Sequence, residues 1–470
     1  MARDRFGVKP FFYTFSGSTL LVSSEIKALL AHPKIKAEID KEGLWQLLYL
    51  TPVTVNGSGV FKNIFEIKPA YSGYFSKNGL DLKPYWKLET KEYKGSSDEA
   101  AQMVEELMCD AVNRQLVSDV PLAVFLSGGL DSSVISALAA ENYKKEDKKL
   151  STYSFEYEGN KQNFKSTLFQ PQGDDEYAIY LADYLNTSHT VLTAPTKTVA
   201  DYLFRATQSR DLPGQADIDS SLLYFCEKVK EKHTVVLSGE CSDEIFGGYP
   251  WFYRPEMLYK DFFPWIHDPL CRIGLFKEEI VKSKEGYDYI SSVYKQSINS
   301  CPLTNEENDE DKTARIATWL SVNYFMTSLL ERKDRMSMAS GLEVRVPFAD
   351  HRILEFVYNV PWSIKFENKT EKALLRKAMQ TKLPEKILFR KKSPYPKTHN
   401  PDYEKIVLEM LTDRIAKGGI LSQILDSAKL KEVLNMDSVT WFGQLMSKPQ
   451  LIAWLIQFDY WFDIYNINLV

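Results

Sequence analysis

Five cysteines in 470 residues, Cys109, Cys226, Cys241, Cys271 and Cys301, are too few and too scattered for a disulfide framework, and none form a CxxC pair. They read as reduced, buried thiols of a cytoplasmic protein. No stretch approaches the ~18 uninterrupted apolar residues of a membrane helix, so no membrane partner is expected. The opening MARDRFGVKP lacks the apolar core of a signal peptide. Positive charge is not in excess: 58 Lys and Arg face 63 Asp and Glu, a formal net charge of -5, which offers no basic face for nucleic acid. The phosphate-binding string G-x-x-x-x-G-K-[ST] is missing too. The remainder is globular in composition, with 44% apolar residues and a length of two to three domains at roughly 150 residues each.

One stretch organises the rest: PLAVFLSGGLDSS, Pro121 to Ser133. Leu122 to Leu126 has the length and composition of a strand buried on both faces. The chain then turns on Gly128 and Gly129, and Val134, Ile135, Leu138 and Ala139 follow at helical spacing. Strand, Ser/Gly turn and helix N-terminus together make an anion cradle, because free backbone N–H groups and the positive end of the helix dipole point at one spot. Ser127, Ser132 and Ser133 add hydroxyls, and Asp131 adds a carboxylate able to hold a metal ion over phosphates. An ordinary strand-to-helix turn is the plain alternative.

A second motif, SGECSDEIFGGYP (Ser238 to Pro250), crowds Glu240, Asp243 and Glu244 into five residues after another apolar run. Like charges this close need a cation, and Mg²⁺ on a polyphosphate would supply it; a solvated acidic helix start is the alternative. Further on, ERKDRMSMASGLEVRVPFADHRILEFV (Glu331 to Val357) alternates Arg332, Lys333, Arg335, Arg345 and Arg352 with Asp334, Glu343 and Asp350, which reads mostly as a structural ion-pair network. KTEKALLRKAM reads as a short helix carrying Lys369, Lys372, Arg376 and Lys377, three of them taken as solvated.

Between the motifs the rhythm is strand, helix, strand, helix. Ser132 to Asn142 is a helix, STYSFEY (Ser151 to Tyr157) a strand, Asp174 and Asp175 cap a helix DEYAIYLADYLN, and His189 to Leu192 and Thr234 to Leu237 are strands. This argues for an α/β fold with a parallel sheet, whose ligands lie at the carboxyl ends of the strands, so SGG at 127 and SGE at 238 can face one pocket. Before it, residues 1–92 hold a hairpin (FFYTF, TLLVSS) and two short helices, the second, KEGLWQLLYL, capped by Asp40. Lys91 to Glu99 is the expected boundary, with Ser97 and Asp98 capping the helix EAAQMVEELMCDAVNRQL.

SGGLDSS resembles the pyrophosphate loop of enzymes that split ATP between the α and β phosphates. With DDEYAIYLADYLN, SGECSDEIFGGYP, DRMSMASGLEVRVPFADHR and EKALLRKAM in this order, the chain resembles glutamine-hydrolysing asparagine synthetase from residue 1 to at least RKKSPYPKTHNP near residue 400. The fold this implies is an ATP-pyrophosphatase (adenine nucleotide α-hydrolase-like) synthetase domain over residues 93–470. Before it would stand the C-terminal remnant of an Ntn-type class II glutaminase domain over residues 1–92, where ARDRFGVKPFFY and SSEIKALL match.

The resemblance implies that Ser127, Gly128, Gly129, Asp131 and Ser132 hold the pyrophosphate of MgATP. Leu126 and the strand around Ser154 would line adenine and ribose, and Ser238 with Gly239 would contact the nucleotide. Asp131 and Asp243 would share Mg²⁺, Glu240 would be the base and Lys372 would stabilise charge on phosphate. Aspartate would become asparagine through β-aspartyl-AMP. β-Lactam synthetase and lasso-peptide cyclase are relatives that act on other acids, and a scaffold without catalysis is the competing class. Ala2 stands where a nucleophilic Cys would begin a complete relative, so the chain is expected to be shortened within its glutaminase domain and to use ammonia, with glutamine serving longer relatives. A homodimer is compatible with the resemblance and not required by it.

Overall fold

In the computed structural model, residues 1–164, 175–258, 262–266, 269–304, 307–392, 397–436 and 446–470 are described. Asp174, expected to cap a helix with Asp175, lies outside them, as do Ser393 to Pro396 within the last string of the resemblance.

Alternation at the start of the chain builds the expected hairpin, β1 (Phe12–Ser16) against β2 (Thr19–Ser23), with Phe12 opposite Ser23 and Ser16 opposite Thr19. The short β3 (Glu38–Ile39) follows, then β4 (Ile64–Glu66) on the other edge of β1, then a second hairpin of β5 (Tyr71–Ser76) and β6 (Gly79–Pro84). Asp40 caps as expected by accepting from the Gly43 N–H, but the run behind it changes from α-helix (Lys41–Trp45) to π-helix (Gln46–Leu50). Every residue of that π stretch is buried.

The strands of residues 1–92 leave Phe15, Val22, Phe65, Tyr74 and Phe75 exposed, while Ile39, Leu44, Trp45, Leu48, Tyr49 and Leu50 join one core with Trp454, Phe458 and Trp461 from the C-terminal helix. Trp45 Nε1 donates to the Val281 carbonyl at 2.7 Å, and β3 pairs in parallel with β12 (Asn468–Leu469) at the end of the chain.

The middle of the chain forms a sheet of β7 (Leu122–Phe125), β8 (Ser151–Tyr157), β9 (Ser188–Ala194), β10 (Val235–Leu237) and β11 (Glu343–Arg345). Its order is β11-β10-β7-β8-β9 and every pairing is parallel. Alternate residues of β7 feed two cores. Leu122 and Val124 pack with helix α1 (Ser97–Leu116) and α2 (Leu130–Lys145), while Ala123 and Phe125 pack with Leu222 and Met336 on the opposite face. That explains why the run reads as continuous hydrophobe: both faces are covered.

The α1 cap is Ser96 rather than Ser97 or Asp98. Ser96 Oγ accepts from Glu99 N at 3.2 Å, and Glu99 returns a carboxylate to Ser96 N at 2.7 Å, a reciprocal arrangement that only the Ser96 register allows. The α2 helix runs two residues earlier and three later than the pattern suggested, since Ser132 and Ser133 turn their hydroxyls back onto the Gly129 carbonyl inside the first turn.

Sheet order positions the site. β8 and β9 lie on one side of β7, β10 and β11 on the other, so the chain reverses direction of growth at β7 and opens a crevice at the carboxyl ends of β7 and β10. The SGG and SGE turns leave those two neighbouring strands.

Candidate active site

Gly128 carries a φ of +71°, and a Cβ there would meet Tyr177 and Ala178 of the helix α3 (Asp175–Tyr184) at 2.5 to 2.6 Å, so the turn is reserved for glycine. Gly239 marks the meeting of the two motifs, because a Cβ on it would lie 2.6 Å from Ser132 N and 2.7 Å from the Asp131 carbonyl carbon. The cradle is less open than expected. Ser127 N donates to Ser132 Oγ at 3.1 Å, Gly129 N donates to Ser127 Oγ at 3.3 Å, and the Ser127 and Ser132 hydroxyls bond each other at 3.0 Å. Short hydroxyls standing beside orphan N–H groups hydrogen-bond to them, and a phosphate would compete for the same donors.

Leu126 is buried and its N–H donates to the Tyr153 carbonyl at 2.7 Å. Ser154, expected at the nucleotide base, is buried with its hydroxyl 3.0 Å from His189 Nε2, while His189 Nδ1 meets Thr152 Oγ1 at 3.0 Å. Burial lowers the pKa of that imidazole. Ser238 is buried and fixed by its N–H to the Arg345 carbonyl at 2.9 Å.

The three carboxylates after β10 do not converge on one cation, which corrects the expectation drawn from their spacing. Cys241 adopts a φ of +78° and begins a short helix, α4 (Ser242–Phe246), and the turn sends each acid a different way. Glu240 goes to helix α5 (Thr327–Ala339), where its Oε1 meets Arg332 Nη2 at 3.2 Å and Lys333 Nζ at 3.0 Å. Its Oε2 is buried with no hydrogen-bond partner among the described residues. Glu244 accepts from the Tyr249 hydroxyl at 2.6 Å, and burial, together with the neighbouring Asp243 charge, pushes its carboxyl up to about 7. Asp243 alone faces the phosphate loop.

Lys372 joins the two loops. Its Nζ lies 2.7 Å from both oxygens of Asp131 and 2.5 Å from Asp243 Oδ1, and the residue is buried at 2% exposure. Burial opposes its charge, yet the two carboxylates outweigh burial and hold the ammonium's pKa above its usual value. Asp243 shows the converse: burial would raise it, but Lys372 and Lys392 bring it down to about 2. Lys372 is not on a solvated face; it caps helix α6 (Ala373–Ala378) with a φ of +55°, a left-handed conformation that a lysine adopts only when its surroundings dictate it. Arg376, read as solvated, is buried as well and donates to the carbonyls of Leu388 and Arg390.

Two carboxylates drawn to one ammonium fit a Mg²⁺ site of the kind that takes one or two carboxylates and completes its shell with water and substrate phosphate. Among the described residues no group of three or more His, Cys, Asp or Glu could hold an ion unaided. Such an ion would depend on the phosphates.

The expected ion-pair network is present, and sequence distance hid two of its partners, Asp211 and Asp110. Arg335 pairs with the buried Asp211, Arg345 with Glu343 at 2.8 Å, and Arg352 with both Asp350 and Asp110 at 2.5 Å. Arg332 and Lys333 belong to the site through Glu240. Two more cations were overlooked: Lys392, paired with Asp243, and Arg390, whose Nη1 lies 3.3 Å from the Ser127 carbonyl. Their signal was the basic string RKK directly before Ser393.

A family model described as asparagine synthase matches residues 103–463, and one described as glutamine amidotransferase domain matches residues 1–86. Across its whole length the chain is 48% identical to asparagine synthetase [glutamine-hydrolyzing] 3 of Bacillus subtilis (strain 168), covering 77% of that protein. It is 29% identical to asparagine synthetase [glutamine-hydrolyzing] 1 of the same organism, over 84% of this chain and 65% of that one. It is 27% identical to the amidase chyE of Penicillium rubens, over 84% of this chain and 66% of the relative.

Proposed function

The chain belongs to the asparagine synthase family, and from that premise we propose that it converts aspartate to asparagine at the expense of ATP, which leaves as AMP and pyrophosphate. The observation that carries this reading is the single ammonium of Lys372 shared by Asp131 and Asp243, which ties an anion cradle to an acidic turn across neighbouring strands.

A β-carboxylate oxygen of aspartate attacks the α-phosphorus, the bond to the bridging oxygen breaks, and pyrophosphate leaves. Ser127, Gly128, Gly129 and Ser132 present N–H and hydroxyl donors to the departing group, and Lys372 is a cation preset where negative charge grows. Mg²⁺ held by Asp131 and Asp243 would neutralise part of the pyrophosphate charge. Adenylation makes the carbonyl a good electrophile. Ammonia then attacks that carbon, the bond to AMP oxygen breaks, and Glu240, whose Oε2 has no hydrogen-bond partner among the described residues, takes the proton. Leu126, Ser154, Ser238 and Gly239 are assigned to the nucleotide.

Ammonia is the proposed nitrogen source for these 470 residues. Residues 1–92 contain no cysteine. Burial raises the thiol pKa of Cys109, Cys226, Cys241 and Cys301, away from the thiolate a glutaminase needs. The test is to incubate the purified chain with aspartate, MgATP and ammonium, measuring pyrophosphate and asparagine. Equal amounts of both support the reading; pyrophosphate without asparagine would point to another acyl acceptor, and neither product would make the chain a scaffold.

A further inference from the structure

The strap from Leu388 to Lys392 is held in place from three sides. Arg376 donates to the carbonyls of Leu388 and Arg390, Glu371 Oε1 accepts from the Lys392 N–H at 3.0 Å, and Arg390 reaches the Ser127 carbonyl at 3.3 Å while its guanidinium lies 4.1 Å from the Tyr177 ring centroid. Both anchoring residues lie next to Lys372 in the chain: Glu371 directly precedes it and Arg376 sits on the helix it caps. The strap is therefore tied to the segment that carries the site lysine, and it sets Lys392 Nζ on Asp243 Oδ2 and 4.7 Å from the Tyr249 ring centroid.

Charge bookkeeping makes this second ammonium informative. Asp131 and Asp243 are matched by Lys372 and Lys392, so these four groups balance one another. A divalent ion shared by the two carboxylates would leave both ammoniums without counter-charge, a costly state for partly buried cations. Anionic phosphate oxygens restore the balance. One lysine alone would leave the trailing phosphates, which carry most of the leaving group's charge, with less cation than the site contains.

We propose that Lys392 is a second cationic ligand of the departing pyrophosphate, exchanging Asp243 for a phosphate oxygen when the nucleotide enters. This rests on the adenylating reading above. Lys392 is placed for it: its side chain is 24% exposed, against 3% for Lys372, so it can swing between partners while Lys372 stays fixed. Lysine suits the task, being a compact point charge on a flexible stem. Arg390 holds the strap to the rim of the cradle and is a positioning residue.

The experiment is titration calorimetry of inorganic pyrophosphate, and separately of AMP, into the full chain with Mg²⁺ present, comparing wild type with Lys392→Met. Charge-assisted contacts to a phosphate predict at least about a tenfold loss of pyrophosphate affinity with AMP affinity unchanged, and partial recovery in Lys392→Arg. Unchanged pyrophosphate affinity would overturn the proposal. Parallel loss of both ligands would overturn it too, assigning Lys392 to the architecture of the site. Should Lys392→Met not fold, the shorter, polar Lys392→Gln decides on the same ratio. Wild-type pyrophosphate release on adding aspartate and MgATP judges the underlying reaction separately, because the Lys392 comparison reads binding alone.

Discussion

Asp131→Asn removes a charge and almost no volume at the point where the two loops share Lys372. ATP–pyrophosphate exchange is expected to fall below about a tenth of wild type, since a tenfold loss corresponds to only ~1.4 kcal/mol. Exchange above that level, with melting unchanged, would take Asp131 out of the metal role. Lys372→Ala should lower turnover by at least about 10²-fold, the size of effect seen when a preset electrostatic group is lost. A change in melting temperature alone would make this lysine a counter-ion and nothing more. Asp217 gives a test away from the chemistry. It is fully buried, its Oδ2 accepts from Thr398 N at 3.2 Å and Gln450 Nε2 at 3.3 Å, and its Oδ1 has no hydrogen-bond partner among the described residues. Burial raises its carboxyl to about 6. The native state therefore keeps a proton that the unfolded chain releases near pH 4, and stability falls as pH rises from about 4 to about 6. Asp217→Asn keeps the acceptor and abolishes the titration, so it should melt higher than wild type at pH 7, by about 1–3 kcal/mol, with the gap closing near pH 4. Lower melting at pH 7 would mean that the charged form is needed beside Lys397.

Helix α5 collects ties in both directions along Glu331 to Arg335. Arg332 and Lys333 hold Glu240 of the site, while Asp334 takes Lys9 Nζ at 2.5 Å and Arg335 donates to the Ser24 carbonyl at 2.9 Å. Arg335 also meets Asp211, which in turn accepts from Ile26 N at 2.8 Å and Tyr465 OH at 2.9 Å. Arg335→Met would leave Asp211 buried with much of its compensation gone, and about 3–5 kcal/mol should be lost from the urea unfolding free energy. A loss under ~1 kcal/mol would show that Lys27, whose Nζ lies 3.2 Å from Asp211 Oδ1, and the Ile26 N–H suffice. This element also marks what the sequence could and could not convey. That Arg335 and Asp334 sit in ion pairs follows from alternating charge among apolar neighbours. That the partners are Asp211 and Lys9 depends on contacts 124 and 325 residues away in the chain, which no local pattern encodes. Strand and loop positions were legible because burial on two faces and glycine turns are local facts, as in Leu122 to Gly129. The change from α to π geometry at Gln46 was not, since the same apolar run serves both and packing against Trp454 and its neighbours decides.

At the scale of the whole molecule, the two matched segments form one interlocked body: the π stretch at Gln46–Leu50, the pairing of β3 with β12, and the Arg272 guanidinium, which donates to the Tyr49 and Thr51 carbonyls at 2.9 and 3.1 Å, all tie residues 1–92 to the rest. On the proposed reading, the synthetase reaction proceeds without glutamine being opened within this body. The thiol chemistry of glutamine hydrolysis requires a thiolate close to an amide-binding site. The cysteine nearest the start of the chain, Cys109, lies on α1 and has its thiol pKa raised by burial. Free ammonia can reach an adenylate from solvent. With aspartate and MgATP saturating, asparagine formation by these residues should therefore rise with pH as ammonium gives up its proton, and glutamine at equal nitrogen should support less than about a tenth of that rate. The measurement is asparagine and glutamate by mass, with ammonium and with glutamine in separate reactions. Glutamate appearing in step with pyrophosphate would sink the ammonia reading and would mean that a nucleophile within these 470 residues performs the hydrolysis. Glutamate without pyrophosphate would place an uncoupled amidase in residues 1–92.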